Sequence, residues 1–555
     1  MRVPARLAPT LALLLLALAL FLPGQGSLPP FDRDESRYAQ ATAQMLESGN
    51  WLDIRFQDEP RWRYPAGIYW LQAAAVSLTG EAGARAIWSF RLPSLLGAIA
   101  AVLLTLAIGE RLLGAAAGRV AAALLAASLL LGTEARLAKT DAMLLATVLL
   151  AQLALATIYL GRDAQRPPGR WWAALFWGAL GAAAMIKGPI VLLVSGGTVL
   201  LLGLSERRWR WLALLRPAWG VPLMLLVLLP WVIAIELISH GQFFAEALGR
   251  NMLAKMAEGQ QSHGAPPGYY LMLFPVTFWP GSLLAVLAVP FAWRERRSPA
   301  VRFCLAWILP TWLVFELVAT KLPHYVLPTY PAIACLAAGG LLGGWPRLWR
   351  PWAYWTAAGI WTAIGLALAA LPLAARLYLG GGIDPWLALS LAVAAPLVAA
   401  APLLLRRDRG GLALAAALAA AWVIYAAAAS RGLPRWSRSG SARASPPRSR
   451  ATGPARIRGS PAFPSGSRAW CSWLAPEPGS SIPGRPPPTS PPTRAARSPW
   501  WGPTSSRSSW RGSPRSASRR ARSTGSTGST IPRGAACRSR SMPDRRRADR
   551  PDEDP

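Results

Sequence analysis

Residues 31–50, FDRDESRYAQATAQMLESGN, form a short charged segment directly after the first apolar run of a chain that is otherwise mostly apolar. Within this segment Tyr38, Thr42 and Met45 recur at the spacing of one helix face. The pattern predicts an amphipathic helix that lies along a membrane interface. We therefore expect the rest of the chain to hold this segment at a membrane surface.

The segment begins with three carboxylates, Asp32, Asp34 and Glu35. Asp32 could cap the helix, with Glu35 three residues later in a capping-box arrangement, and this interpretation needs no function. It leaves Asp34 unexplained, and acidic residues beside a membrane span are candidates for a functional site. We favour a functional cluster, with the helix cap as the alternative.

The composition is that of a polytopic membrane protein. Hydrophobic residues make up 53% of the 555 residues, there are 28 tryptophans, and the mean hydropathy is +0.29. Long apolar stretches with aromatic flanks are the signature of bilayer-spanning chains. Much of the net charge of +33 comes from the segment after Ser430, so it does not predict a nucleic-acid partner for the membrane body. The four cysteines show no metal-ligand spacing and no disulfide framework.

About thirteen apolar segments are each near the roughly 20 residues that cross a bilayer as a helix, which predicts an all-α membrane protein. The first segment, 7–23, follows two arginines and is interpreted as a retained span, because no small-residue cleavage pattern follows it. The other predicted spans are 91–109, 115–132, 142–160, 171–186, 188–204, 212–238, 271–292, 301–319, 326–344, 352–374, 384–405 and 411–429.

The charges of the connecting loops orient these spans, because cytoplasmic loops are rich in Lys and Arg. With the N-terminus in the cytoplasm, the predicted inner loops include GRDAQRPPGR (161–170), WRERRSPAVR (293–302) and RRDRG (406–410), which are basic. The predicted outer loops hold most of the carboxylates, beginning with a long first periplasmic loop at 24–90 that carries interfacial helices. Two independent signals therefore agree on the topology.

Polar side chains of the membrane body gather on the predicted outer side. Each has a structural alternative, since a single lysine is most often an interfacial cation and a single aspartate a helix cap. Together they predict an outward-facing polar cavity that contains acids and cations. Its candidate members are Asp32, Asp34, Glu35, Arg37, Asp58, Glu59, Arg61, Arg63, Glu134, Arg136, Lys139, Asp141, Lys187, Glu246, Arg250, Lys255, His263, Lys321, His324 and Tyr325.

Such a cavity suits group transfer from a phosphorylated lipid. A carboxylate can act as general base on an acceptor hydroxyl or amine, while Lys or Arg neutralises the phosphate leaving group. The sequence contains no P-loop, no dinucleotide glycine fingerprint and no G-x-S-x-G elbow. We therefore expect a donor that is carried in the membrane.

Several motifs in one order resemble glycosyltransferase family 39, the group of protein O-mannosyltransferases and lipid A aminoarabinose transferases. The stretch FDRDESRYAQATAQML is similar to the D-E-x-R-Y-A signature of the family's first periplasmic loop. The resemblance covers about residues 7–345. It implies the C-type glycosyltransferase fold and transfer of a sugar from polyprenyl phosphate to an acceptor outside the cytoplasm. The further matching segments are RWRYPAGIYWLQA, FRLPSLLGA, EARLAKTDAMLL, IKGPI, HGAPPGYY and KLPHYVLPTYPA.

The resemblance also implies roles for single residues. Asp34 matches the family's catalytic acid, Glu35 lies beside it, and Asp141 matches the second acid, so these three are the predicted catalytic residues. The predicted substrate-binding residues are Arg37, Tyr38, Arg63, Lys187, Lys321, His324 and Tyr325.

One departure from the family pattern concerns a lysine that precedes a proline pair. Tyr64 stands at that position here, and Arg63 supplies the nearest positive charge, although Arg binds phosphate differently from Lys. His263 matches a histidine that contributes to a metal site in the aminoarabinose branch. A divalent metal is therefore the candidate cofactor, although the glutamate that accompanies the lysine in that branch is absent.

The tail at 431–555 differs in composition from the transmembrane domain at 1–430. It is rich in Arg, Ser and Pro, with runs such as SRSGSARASPPRSR that cannot bury enough apolar surface to fold. Related proteins carry a small soluble domain here. We expect either a reading-frame shift near residue 430 or a genuine disordered basic tail that binds polyanions or anionic lipid.

The sequence therefore predicts an integral inner-membrane glycosyltransferase with a cytoplasmic N-terminus and a periplasmic active site. Its expected partners are a polyprenyl-phosphate sugar and a lipid A-like or protein acceptor. A flippase for lipid-linked sugars is the alternative, but inspection shows no internal repeat of the kind such transporters carry. A third interpretation is an assembly subunit without activity.

Overall fold

The computed structural model describes residues 7–80, 86–246 and 264–432 of the chain. The described part is mostly helical, as predicted from the apolar segments. A short antiparallel hairpin lies in the first loop, and its two strands, β1 (Arg55–Phe56) and β2 (Glu59–Pro60), have two residues each. The helices are α1 (Leu7–Phe21), α2 (Arg33–Ser48), α3 (Gly67–Thr79), α4 (Ile87–Leu113), α5 (Ala115–Ala127), α6 (Leu129–Glu134), α7 (Asp141–Leu160), α8 (Arg170–Lys187), α9 (Ile190–Glu206), α10 (Pro217–Ile238), α11 (Gln242–Phe244), α12 (Tyr269–Thr277), α13 (Ser282–Leu287), α14 (Val289–Arg294), α15 (Pro299–Leu317), α16 (Tyr330–Leu342), α17 (Pro351–Tyr378), α18 (Pro385–Arg406) and α19 (Gly410–Ala427), with 3₁₀ turns at Arg210–Leu215, Pro323–Thr329 and Trp345–Leu348.

Eight helical segments of the described ranges are long and apolar enough to cross a membrane. Four shorter apolar helices accompany them, at Leu7–Phe21, Ala115–Ala127, Ile190–Glu206 and Ser282–Arg294. The described part of the chain is therefore that of an integral membrane protein. The eight long segments are Ile87–Leu113, Asp141–Leu160, Pro217–Ile238, Pro299–Leu317, Pro323–Leu342, Pro351–Tyr378, Pro385–Arg406 and Gly410–Arg431.

Three predicted spans differ in detail from the helices observed. The segment predicted at 115–132 is divided between α5 and α6, because Ser128 between them has an extended backbone. The segment predicted at 271–292 is divided among α12, α13 and α14, because Pro280 lies between the first two helices and Pro290 lies in the first turn of the third, where each removes a backbone donor. The segment predicted from 212 begins as an α-helix at Pro217, where proline at the first helical position is well tolerated. Proline therefore sets the boundaries of the last two segments more strongly than hydropathy does.

The charged segment forms the predicted helix, α2. The Asp32 carboxylate accepts hydrogen bonds from the backbone N–H groups of Asp34 and Glu35, so Asp32 is the N-cap. At the other end Gly49 has a φ of 68°, the left-handed conformation that glycine adopts without strain. The Thr42 hydroxyl donates a 2.7 Å hydrogen bond to Gln72 of α3, which fastens the two helices of the first loop together.

Two close backbone approaches position the helices that carry the site. A Cβ added at Gly97 of α4 would lie 2.7 Å from the Cα of Met143, so α4 and the start of α7 are in direct backbone contact. A Cβ added at Gly67 would lie 2.6 Å from the carbonyl oxygen of Met185, near the end of α8. Only glycine permits these separations, and they bring the first residue of α7 and the last residue of α8 to one end of the bundle.

Candidate functional site

A buried ion pair anchors the first loop to the helical bundle. The Glu35 carboxylate accepts a 2.7 Å hydrogen bond from Nε of Arg91 and a 3.2 Å hydrogen bond from its Nη2, and both side chains are fully buried. Arg91 also donates to the backbone carbonyl oxygens of Gln25 and Leu28. Burial raises the pKa of Glu35 above its ordinary value, while Arg91 acts in the opposite direction. Glu35 therefore stabilises the packing of the first loop against the bundle, at a position that solvent does not reach.

The same carboxylate reaches the second polar loop. Glu35 Oε1 accepts a hydrogen bond of 3.1 Å from the backbone N–H of Ala138. The next residue, Lys139, donates to Asp32 Oδ2 at 3.3 Å, and its ammonium lies 3.6 Å from Glu134 Oε1. The pKa of Lys139 is raised, because the nearby carboxylates of Glu134, Asp141 and Asp32 outweigh the opposing effect of its burial. The first and second loops thus form one charged unit.

From Lys139 a row of polar side chains leads to the start of α7 and the end of α8. Nδ1 of His324 lies 3.5 Å from Glu134 Oε1, and Nε2 of the same ring lies 3.7 Å from Asp141 Oδ1. Lys187, the last residue of α8, donates a hydrogen bond to Asp141 Oδ1. The order of contacts is Lys139, Glu134, His324, Asp141, Lys187. Four of these five side chains are at least nine-tenths buried, and His324 is 11% exposed.

Two tyrosines lie beside this row of polar side chains. The Lys187 ammonium lies 5.7 Å from the ring centroid of Tyr325, a cation–π contact, and the Tyr325 ring meets His324 edge to face at 5.2 Å. Tyr64 lies within electrostatic range of both Lys187 and Tyr325. The tyrosine at the family's lysine position therefore faces the predicted donor-binding residues, even though it brings no positive charge.

The remaining predicted residues of the first loop lie at the rim. The Asp34 side chain is 45% exposed and lies 3.6 Å from Arg37, which is 16% exposed. Arg63 is exposed. The Asp34 carboxylate makes a small contribution to the raised pKa of Lys139, so it lies within electrostatic range of the charged unit. A general base must be accessible to an incoming acceptor. Asp34 meets this requirement, whereas its neighbour Glu35 is buried.

Tyr38 lies beneath this rim in a buried cation–π cluster. The guanidinium of Arg61 lies 4.8 Å from the Tyr38 ring centroid, and Arg61 Nε donates a 2.8 Å hydrogen bond to the Tyr69 hydroxyl. Burial raises the pKa of the Tyr38 hydroxyl well above its ordinary value, so the ring carries no charge. Because Tyr38 is 3% exposed, this environment supports a role in packing α2 more than a contact with substrate.

Lys321 occupies a different place from the other predicted lysine. Its ammonium donates to the backbone carbonyl oxygens of Phe315 at 3.0 Å and Glu316 at 2.7 Å, and also to that of Val318. An ammonium has three hydrogens to donate, so these carbonyls at the end of α15 use all of them. In this arrangement Lys321 is a C-terminal helix cap, and its predicted contact with the donor phosphate stays a prediction.

Lys321→Met is expected to lower the free energy of unfolding by about 2 kcal/mol, because charge-assisted hydrogen bonds to three backbone carbonyls are lost. The KM for a polyprenyl-phosphate donor is expected to stay unchanged in the protein that remains folded. Thermal unfolding in detergent and initial rates at varied donor concentration measure the two quantities. A large rise in KM without loss of stability would instead place Lys321 at the phosphate.

Three residues of this region were not among the catalytic or substrate-binding residues predicted from the sequence. Glu134 and Lys139 belong to the outer-loop charges, and Arg91 belongs to the motif FRLPSLLGA, so each gave a signal in the sequence. Sequence spacing did not distinguish them from other loop charges, because their partners lie far along the chain. His263, the predicted metal ligand, lies outside the described residues.

With this geometry in place, comparison with known proteins identifies similar chains. Residues 8–241 match the family model described as dolichyl-phosphate-mannose-protein mannosyltransferase. The resemblance to glycosyltransferase family 39 is confirmed. Among curated proteins, the undecaprenyl phosphate-alpha-4-amino-4-deoxy-L-arabinose arabinosyl transferase of Pseudomonas paraeruginosa is 31% identical over 342 residues, which is 60% of each chain. The enzyme of the same name from Pectobacterium carotovorum is 28% identical over 384 residues, 66% of each chain. The chain thus spans about 60% of the length of the first of these relatives.

Solved structures show the same fold. The crystal structure of ArnT from Cupriavidus metallidurans bound to undecaprenyl phosphate aligns with a TM-score of 0.63 at 21% identity, over 78% of this chain and 79% of that chain. The apo form of the same protein aligns with a TM-score of 0.59. The chain therefore has the C-type glycosyltransferase fold predicted from the family 39 motifs.

Proposed function

We propose that the chain is a glycosyltransferase that moves a sugar from a polyprenyl-phosphate donor to a lipid A-like lipid or a protein acceptor at the periplasmic face of the inner membrane. The observation that carries the proposal is the single charged unit formed by the first loop, the second loop and the end of α8. The backbone N–H of the accessible Asp34 donates to Asp32, which pairs with Lys139. Asp141 and Lys187 lie farther along the same unit, in a fold shared with an undecaprenyl-phosphate-bound protein.

Asp34 acts as the general base in this proposal. The acceptor hydroxyl or amine loses its proton to Asp34 and attacks the anomeric carbon from the side opposite the phosphate, so the configuration at that carbon inverts. The bond from the anomeric carbon to the phosphate oxygen breaks, and polyprenyl phosphate leaves with both electrons. The exposed position of Asp34 allows the acceptor to approach from outside the bundle.

The opposite end of the charged unit receives the phosphate. Lys187 is the cation at this end, and Tyr325 and His324 stand beside it. Its pairing with Asp141 keeps the ammonium ionised in a buried position until the donor arrives, and a phosphate oxygen can then take over part of that interaction. Arg37 and Arg63 at the rim add positive charge on the path of an anionic substrate.

Glu35 has a positioning role in this proposal. Its carboxylate is fully buried, and its contacts with Arg91 and the backbone of Ala138 hold the two loops in register. Tyr38 similarly supports α2 from beneath through Arg61. These residues act through the geometry of Asp34 and Lys139, and they do not need to touch the substrate.

We further propose thirteen membrane spans with the N-terminus in the cytoplasm. The eight long segments and four shorter apolar helices, together with α8, make thirteen in the described residues, one for each predicted segment. The basic loops on the predicted inner side supply the orientation. Residues 1–430 form the transmembrane domain, and the basic composition of 431–555 supports a reading-frame shift near residue 430. Resequencing the gene there, with mass spectrometry of tail peptides, tests this part.

Reconstituted protein distinguishes a transferase from a flippase. In proteoliposomes that contain radiolabelled polyprenyl-phosphate sugar, the wild-type protein is expected to move the label to an acceptor in an added membrane extract. Empty liposomes and heat-denatured protein are the controls. Label that crosses the bilayer while remaining on polyprenyl phosphate would favour the flippase, and the absence of both activities would favour an assembly subunit.

A further inference from the structure

We propose that the end of the bundle remote from the charged unit binds one anionic phospholipid. An apolar crevice between helices takes one acyl chain, and a patch of arginines beside the crevice takes the phosphate of the headgroup. In the topology proposed above this end faces the cytoplasm, so the ligand is a lipid of the inner leaflet. Binding of the lipid does not depend on the transfer reaction.

The position of this site follows from the course of α4. Arg91 lies near the start of α4 and belongs to the buried ion pair that anchors the first loop. Leu113, at the other end of the helix, lies about 33 Å farther along its axis. Leu113 approaches a Cβ added at Gly339 of α16 to 3.3 Å, and Leu341 of the same helix approaches a Cβ added at Gly410 to 3.1 Å. The start of α19 is therefore at the end of the bundle opposite Arg91.

The crevice lies among five helices and has an apolar lining. It holds about 340 Å³ of space, which is within the range of about 300–1,000 Å³ for ligand pockets. Gly410 and Leu414 are partly exposed, so the crevice opens along α19. An apolar lining suits an acyl chain and does not suit a free phosphate ion. The helices α5, α13, α17, α18 and α19 contribute, in this order, Leu124, Leu284, Trp361, Leu405 and Ala413.

The basic patch consists of residues 294–297, 347–350 and 406–409. These segments contain eight arginines and two carboxylates, which leaves six positive charges in excess. The segments are in contact, because Arg294 lies 5.4 Å from the ring centroid of Trp345, and Arg406 donates a 3.3 Å hydrogen bond to the carbonyl oxygen of Arg347. The arginines therefore form one surface for an anion.

Two arginines of the basic patch are available to a ligand. The Asp408 carboxylate pairs with Arg347. Arg407 and Arg409, on either side of Asp408, are exposed and make no ion pair with the described residues. Guanidinium groups bind phosphate oxygens through paired hydrogen bonds. These two side chains are therefore the predicted ligands of the headgroup phosphate.

The crevice and the basic patch meet at the turn between α18 and α19. Leu405 and Gly410 line the crevice, and the four residues between them carry three of the arginines. Leu284 lines the crevice from α13, and the next helix, α14, ends at Arg294 of the basic patch. Basic pockets between membrane helices on the cytoplasmic side are typical sites for anionic lipid headgroups. A phosphate on the patch would place an acyl chain at the crevice.

Native mass spectrometry of the full-length protein, stripped of lipid in detergent, tests the binding. Dioleoylphosphatidylglycerol and dioleoylphosphatidylcholine carry the same chains and differ only in the headgroup. We expect one phosphatidylglycerol to bind per chain about tenfold more tightly than phosphatidylcholine and to raise the thermal unfolding temperature. Equal affinities, or a series of phosphatidylglycerol adducts without a preferred first one, would show that the arginines only orient the chain and would overturn the proposal.

Inorganic phosphate and dihexanoylphosphatidylglycerol separate the effect of the headgroup from that of the chain. Neither fills the crevice, so each is expected to raise the unfolding temperature less than dioleoylphosphatidylglycerol at the same concentration. Equal stabilisation by inorganic phosphate would identify the patch as a site for a free anion, which contradicts the assignment to a lipid.

The double variant Arg407→Gln/Arg409→Gln tests the basic patch. It is expected to weaken binding of phosphatidylglycerol about tenfold or more and to leave that of phosphatidylcholine unchanged. Arg166→Gln/Arg170→Gln is the matched control, because these arginines are exposed in the inner loop 161–170 and lie outside the patch. Unchanged phosphatidylglycerol binding in the patch variant would refute the role of the two arginines.

Ala413→Leu tests the crevice. Ala413 is 6% exposed and lines the crevice, so the larger side chain is expected to weaken binding of dioleoylphosphatidylglycerol. Ala415→Leu, at an exposed position on the same helix, is the control and should bind the lipid as the wild-type protein does. Thermal unfolding checks that both variants fold. Equal lipid binding by the two folded variants would place the acyl chain outside the crevice and refute this part of the proposal.

Discussion

Asp34→Asn is expected to lower the rate constant for sugar transfer about 100- to 10,000-fold, the range that a general base contributes. The amide keeps the size of the side chain but cannot accept a proton from the acceptor. The backbone cap of α2 is made by Asp32, so the helix should be preserved. Single-turnover transfer from radiolabelled polyprenyl-phosphate sugar measures the change, and donor binding should be nearly unaffected.

Asp58→Asn is the matched control for this variant. Asp58 is an exposed carboxylate in the same loop, in the turn of the β1–β2 hairpin, and it was predicted only as a cavity member, without a catalytic or substrate-binding role. We expect wild-type transfer from it. If Asp34→Asn retained most of the wild-type rate, Asp34 would not be the base, and the loss of one surface charge would be its main effect.

Arg91→Leu is expected to destabilise the folded protein by about 3–5 kcal/mol, because it leaves the buried Glu35 carboxylate without its partner. The second loop should also move relative to the first, since the same carboxylate accepts a hydrogen bond from the backbone N–H of Ala138. Thermal or denaturant unfolding in detergent measures the change. The double variant Arg91→Leu/Glu35→Leu should recover part of the stability, because no unpaired charge then remains in the interior.

Arg55→Leu provides the comparison for a partly exposed pair. The Arg55 side chain is 43% exposed and lies 3.1 Å from Asp53. Pairs of this kind contribute about 0–1 kcal/mol. Equal effects of Arg91→Leu and Arg55→Leu would contradict the anchoring role of the Glu35–Arg91 pair. A fully stable Arg91→Leu protein that has lost transfer would instead assign Arg91 to the substrate.

The sequence could predict the helical class and most of the apolar helices because these depend on local properties. Apolar runs and basic loops are read within windows of about 20 residues. The N-cap at Asp32 and the helix after it follow from neighbouring residues in the same way. Family motifs added Asp34, Asp141 and Lys187 as site residues, and the structure places Asp141 and Lys187 in direct contact.

Prolines account for the local detail that hydropathy missed. The segment predicted at 271–292 reads as one apolar run, but Pro280 and Pro290 each remove a backbone donor where one helix gives way to the next, and three helices result. A hydropathy window averages over these residues. The sequence therefore contains these helix boundaries, but in its proline positions and not in its hydropathy.

The sequence by itself determined the membrane class, the charged first loop and the family to which its motifs are similar. Tertiary structure decided which charges meet. Glu35 pairs with a residue 56 positions away, and Lys187 with one 46 positions away. Lys321 and Lys187 look equivalent as isolated lysines, yet one caps α15 and the other faces Asp141. The energy of a buried charge depends on the partners that folding brings within about 4 Å, and no local pattern records them.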